Sequence, residues 1–73
     1  MIHATDLFVG RKLREARLAL KLTQPEVGQH LGIAFQQVQK YETGYNRVSA
    51  SKLFEMAKLY QTPVQNFFPE MQV

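Results

Sequence analysis

The chain has 73 residues, 45% of them hydrophobic and 21% charged, and no cysteine. That length holds one small domain with a limited core, and the missing thiols exclude a disulfide framework or a thiolate metal centre. Nine basic against six acidic residues leave a net charge of +3, an excess that favours a polyanionic partner without requiring one.

The pattern predicts an all-α domain of five helices, residues 1–73, without strands, repeats or a low-complexity linker. Thr5 or Asp6 can cap a first helix that runs from residue 7 to 19 or 20. Val9, Leu13, Ala16, Arg17 and Leu20 recur at helical spacing and define its inward face, and Gly10 weakens its first turns slightly. Arg11, Lys12, Arg14, Arg17 and Lys21 crowd this helix with positive charge. Thr23 caps a second helix, with Pro25 in the first turn, where the amides lack an internal partner. Glu26 stands three residues after Thr23, the spacing of a capping box. Gly32 ends this helix by taking a left-handed turn at little cost. A third helix over residues 34–43 is closed by Gly44. Ser49 caps a fourth, running to about residue 60, with Ala50, Leu53, Ala57 and Tyr60 facing inward. Thr62 and Pro63 start a short fifth helix over residues 64–68, which Pro69 stops, and residues 70–73 are expected to fray.

Residues 24–43 carry the most information. They describe two short helices hinged at Gly32, with Gly28 where the helices must touch and no bulk to hold them apart. Val27, Leu31, Ile33, Val38 and Tyr41 can all face one core. An α-helix fits the major groove of B-form DNA, and a second helix crossing the backbone holds its approach angle. The outward face of the third helix carries Phe35, Gln36, Gln39 and Lys40, side chains suited to base edges and phosphates. Glutamine can bond adenine through two hydrogen bonds. Phe35, out of step with Val38 and Tyr41, is expected at the surface, against a thymine methyl or a sugar edge. Gln37 is read as solvated, and Tyr45 as either a loop packer or a phosphate donor. Of Phe67 and Phe68, one can cap the core and leave the other for a dimer seam. His3 and His30 lack ligand partners at metal spacing, and no phosphate-binding glycine loop occurs. Ser49 is better used as a helix cap than as a nucleophile, so an enzyme is not expected.

Residues 10–68, about four fifths of the chain, resemble the lambda-repressor-like, Xre-type family of helix-turn-helix regulators, which includes phage repressors and Cro. The segments LTQPEVGQHLGIAFQQVQKYETG and NRVSASKLFEMAKLYQTPVQNFF carry the match. The resemblance implies a compact bundle of about five helices that binds double-stranded DNA as a homodimer, without cofactor, metal or small-molecule ligand. It implies base contacts from Phe35, Gln36, Gln39 and Lys40, and phosphate contacts from Gln24, Asn46 and Arg47. It also implies a partly buried ion pair between Arg17 and Glu42, with Arg17 reaching phosphate as well. The sequence departs from the family pattern at Lys21, where a glycine often ends the first helix, at Ala34, which forfeits a side-chain cap, and at Phe35, which replaces a polar reader.

The expected function is that of a repressor or autoregulator on a palindromic operator. Antitoxins and restriction-modification controllers use the same fold, and a protein-interaction module built on the last two helices is the alternative from another class. No stretch is apolar for long enough to span a membrane, and the first residues lack the pattern of a secretory signal. A cytoplasmic, nucleoid-associated bacterial or phage protein is therefore expected.

Overall fold

Four α-helices and one 3-10 turn make up the fold among residues 2–71, which the computed structural model describes. They are α1 (Ala4–Ala19), α2 (Gln24–Leu31), α3 (Phe35–Glu42), α4 (Ala50–Leu59) and a closing turn over Val64–Phe67. Val9, Leu13, Val27, Val38, Tyr41, Leu53, Met56, Ala57, Tyr60 and Phe67 form one buried core drawn from all five elements.

α1 begins three residues before the expected start. His3 is its cap, with Nδ1 accepting from the Thr5 amide at 3.1 Å, so Thr5 and Asp6 lie inside the helix. At the other end Leu22 N–H donates to the Arg17 carbonyl and Lys21 N–H to that of Leu18. This is the paired closure that normally uses glycine in the left-handed position; here Lys21 takes it, at φ 58°. The turn corrects the expected inward face of α1, because it swings Leu20 into solvent and lets Leu22 pack on the core instead. The same device ends α4. Thr62 N–H donates to the Ala57 carbonyl and Gln61 N–H to that of Lys58, with Gln61 at φ 53°.

The capping box of α2 is complete. The Glu26 amide donates to Thr23 Oγ1 at 3.2 Å, and the Thr23 amide donates to Glu26 Oε1 at 2.8 Å. The Thr23 amide holds the Glu26 carboxyl below the ordinary carboxylate range. Gly32 follows at φ 69°, and Ile33 N–H returns to the Gly28 carbonyl at 2.9 Å. A Cβ on Gly28 would stand 2.6 Å from the Ile33 carbonyl oxygen, so only glycine fits where α2 meets the turn.

Gly10, expected only to weaken α1, proves to be a crossing point as well. Its α-carbon faces the main chain of α3, where a Cβ would lie 2.4 Å from the Tyr41 carbonyl oxygen. Ala34 precedes α3 at the cap position without a side-chain cap, and Ser49 Oγ caps α4 by accepting from the Lys52 amide. On α4 the inward set is corrected: Ala50 is exposed, and Met56 is fully buried. The expected fifth α-helix is a single 3-10 turn. Its bonds, Asn66 N–H to the Pro63 carbonyl and Phe68 N–H to that of Gln65, span three residues. Pro63 and Pro69 bracket too short a segment for an α-helical ladder to propagate. Phe67 is buried there, and Phe68 faces out.

Candidate nucleic-acid interface

α3 is amphipathic in a way that leaves one face without a structural task. Val38, Tyr41 and Glu42 are buried and anchor it against the core. Gln36, Gln39 and Lys40 are exposed, and Phe35 is 44% exposed at its start. Gln37, between the two faces, is half-buried, with Oε1 accepting from Asn46 Nδ2 at 3.4 Å. The glycine turn and the close contact at Gly28 set α2 against α3, so the exposed face is presented by a braced helix.

The brace ends in a buried ion pair. Arg17 Nε donates to Glu42 Oε2 at 2.7 Å, and a second guanidinium nitrogen donates to Glu42 Oε1 at 3.0 Å. The first terminal nitrogen donates to the Leu22 carbonyl at 2.9 Å. The hydrogen bond to Glu42 raises the Arg17 pKa further above its ordinary value. Arg17 is 7% exposed. Its guanidinium ties α1 to α3 and to the α1–α2 turn. Gln24 Nε2 donates to Glu42 Oε1 at 3.1 Å, so the first residue of α2 is tethered to the last of α3. One N–H of that amide remains for an incoming oxygen.

Asn46 and Arg47 follow α3 in the loop that Gly44 opens. Asn46 is half-buried, and its amide N–H donates to the Lys40 carbonyl at 3.2 Å. Arg47 is largely exposed and pairs with Asp6 through Nε, at 3.0 and 3.3 Å. The chain thus gathers Lys40, Tyr45 and Asn46 at one end of α3, and Gln24 with the ion pair beside α2. Arg47 is drawn toward the start of α1. The Asp6 partnership gives no signal in the sequence, since 41 residues separate the two.

A second buried polar group lies near the ion pair. Tyr60 is 3% exposed, and its hydroxyl has no hydrogen-bond partner. Burial first, and the Glu42 charge second, push its phenol above the ordinary tyrosine pKa. Among the described residues no group of three or more histidines, cysteines or carboxylates could hold a metal ion. No described helix is long and apolar enough to cross a membrane.

Two short helices joined through a left-handed glycine, one braced and one outward-facing, make a helix-turn-helix of the lambda-repressor-like kind. The sequence matches the helix-turn-helix family over residues 13–67, and the chain belongs to that family. It is 44% identical over 71 residues to a transcriptional regulator in the ATPase CF(0) region of Rhodospirillum rubrum, a match that covers 97% of this chain. The chain spans 66% of that relative's length and 47% of an HTH-type transcriptional regulator of Sinorhizobium medicae strain WSM419. Among solved structures, the S. venezulae BldD DNA-binding domain superposes with a TM-score of 0.80 at 29% identity, covering 92% of this chain and all of that one. The restriction-modification controller protein C.AhdI of Aeromonas hydrophila gives a TM-score of 0.78 at 26% identity, covering 85% of this chain and 94% of that one.

Proposed function

We propose that this chain binds a specific double-stranded DNA site through the outer face of α3 and regulates transcription there, as a repressor or autoregulator. One observation carries the reading. Gln36, Gln39 and Lys40 stand exposed, with Phe35 partly so, on a helix whose opposite side is wholly committed to the core and to the Arg17–Glu42 pair. In this reading Phe35, Gln36, Gln39 and Lys40 meet base edges, and Gln24, Asn46 and Arg47 hold phosphate. Glutamine donates to adenine N7 and accepts from its N6 amino group, and lysine donates to guanine O6 and N7. The relatives named as transcriptional regulators, and the likeness to a DNA-binding domain, support it. The protein would act in the cytoplasm, on the nucleoid.

A homodimer on a palindromic operator follows from the small footprint of one module. A surface that a second copy could cover also supports it. Phe54 and Phe68 are exposed beside an open, mostly apolar cavity of about 380 Å³ lined by α1, α4 and the last turn. That cavity shares no residue with the α3 face, although Arg47, from the proposed phosphate set, lines its edge. The likeness to C.AhdI favours a restriction-modification controller as the second reading, with the same mode of DNA binding.

Selection of bound sequences from a random duplex pool, followed by footprinting, tests the proposal. The expected product is a palindrome whose half-sites lie about 34 Å apart, one helical turn, with affinity falling steeply as salt rises. Failure to enrich any sequence at low ionic strength would overturn the proposal.

A further inference from the structure

Lys40 has a neighbour that the DNA reading leaves without a task. Its ammonium lies 5.9 Å from the centroid of the Tyr45 ring. Tyr45 is 70% exposed, the most exposed aromatic side chain among the described residues. Its place is set by the main chain. The Lys40 carbonyl accepts from the Asn46 amide at 3.2 Å and from the Thr43 hydroxyl at 3.2 Å. Gly44 N–H donates to the Tyr41 carbonyl at 3.1 Å, and Gly44 turns the chain at φ 77°. Gly44 is also seated on α1, where a Cβ would stand 2.9 Å from Leu7 Cα. The turn that carries Tyr45 is therefore pinned both to the backbone that carries Lys40 and to the rest of the domain.

A lysine on an exposed helix face is a flexible point charge without the directional fork of arginine. Left to itself, it settles on whichever phosphate is nearest and reads nothing. A ring face beside the ammonium favours one side of its range, and tyrosine offers that face with few rotatable bonds to freeze. We infer that Tyr45 is a positioning residue for Lys40. It holds the ammonium beside the base edges, so that the lysine discriminates among base pairs rather than neutralising backbone. The pair selected is G·C, whose guanine O6 and N7 accept from lysine in the major groove. The ring performs this task, and the hydroxyl is not required for it. The inference rests on the DNA-binding reading above.

The test uses the whole chain and the site that selection defines. Affinity is measured for that site and for every single-base variant of it, with wild type, Tyr45→Ala, Tyr45→Phe, Lys40→Ala and the Lys40→Ala/Tyr45→Ala double variant. Tyr45→Ala is expected to flatten the preference at one base pair by about two- to fivefold, at the same base pair that Lys40→Ala flattens. Tyr45→Phe keeps the wild-type preference, and the double variant is no worse than Lys40→Ala alone. The dependence of affinity on salt and the melting temperature stay as in wild type for Tyr45→Ala, because no phosphate contact and no core packing is lost. Three results would overturn the inference while DNA binding stands: Tyr45→Ala reads the site unchanged, Tyr45→Phe loses affinity equally on all sites, or Tyr45→Ala weakens binding further when Lys40 is already gone. A wild-type chain that enriches no DNA overturns the DNA reading itself, and this inference with it.

Discussion

Gly10 lies in the second turn of α1, where replacing glycine by alanine should add about 1 kcal/mol of helix stability on propensity alone. The packing gives the opposite sign. The new Cβ would stand 2.4 Å from the Tyr41 carbonyl oxygen and 2.8 Å from that of Glu42. Ordinary contact begins at 3.4 Å, so α1 and α3 would have to part by about 1 Å along that line. Both oxygens are main chain, so no rotamer change relieves the clash. The movement also strains the Arg17–Glu42 pair, which joins the same two helices. Overpacking of this kind costs about 1–3 kcal/mol, and the propensity gain offsets part of it. We expect Gly10→Ala to lose up to about 2 kcal/mol net, which lowers the melting temperature of a domain this size by up to about 16 °C. Thermal unfolding followed by circular dichroism reads this directly. Arg11→Ala, at the next and exposed position, serves as control and should stay within about 0.5 kcal/mol of wild type. A Gly10→Ala chain that melts at or above the wild-type temperature would show that the α1–α3 crossing has room for a Cβ.

Three further substitutions test the rest of the fold. Glu42→Gln leaves the Arg17 guanidinium buried without its counter-charge and should cost about 3 kcal/mol, out of about 4–11 kcal/mol expected for a chain of this length. A loss below about 1 kcal/mol in urea unfolding would show the ion pair to be dispensable. Tyr60→Phe removes a buried hydroxyl that has no partner, so it should be neutral or stabilise by up to about 1 kcal/mol; a clear loss in the same assay would reveal a hydrogen bond through trapped water. Lys21→Gly relieves a side chain held at φ 58° and should stabilise by about 1 kcal/mol, a rise of several degrees in a thermal melt, which a fall would contradict.

The segment from Thr23 to Gly44 could be read residue by residue because its rules are local. A threonine three residues before a glutamate, a proline in the first turn and a glycine at the left-handed position each act on their own neighbours. The errors fall at helix ends and where a distant partner decides. Gly10 looks like a weak point in a helix until the α3 carbonyls, more than 30 residues away, are seen against it. Leu20 keeps perfect helical spacing, but the turn at Lys21 sends it outward and brings Leu22 in. On α4 the buried stripe is Leu53, Met56, Ala57 and Tyr60, at i, i+3, i+4 and i+7, and Ala50 at the helix start is exposed. His3, which the cap preferences do not favour over Thr5 or Asp6, accepts from the amide two residues on and leaves both of them inside the helix. The Arg17–Glu42 pair was implied by resemblance alone. Its deep burial, and the third bond to the Leu22 carbonyl, depend on how α1, α3 and the α1–α2 turn come together. Tyr45 stood open between two roles because its proximity to Lys40 depends on the fold of a turn that no periodicity encodes.

The proposed function requires that the exposed side of α3 reads bases. The affinity of wild type and of Gln36→Ala for the selected duplex and for a random-sequence duplex, at one salt concentration, tests this most directly. The substitution should weaken binding to the selected duplex about 5- to 150-fold, equivalent to roughly 1–3 kcal/mol of base discrimination, and leave binding to random sequence nearly unchanged. Equal loss on both duplexes would contradict the claim.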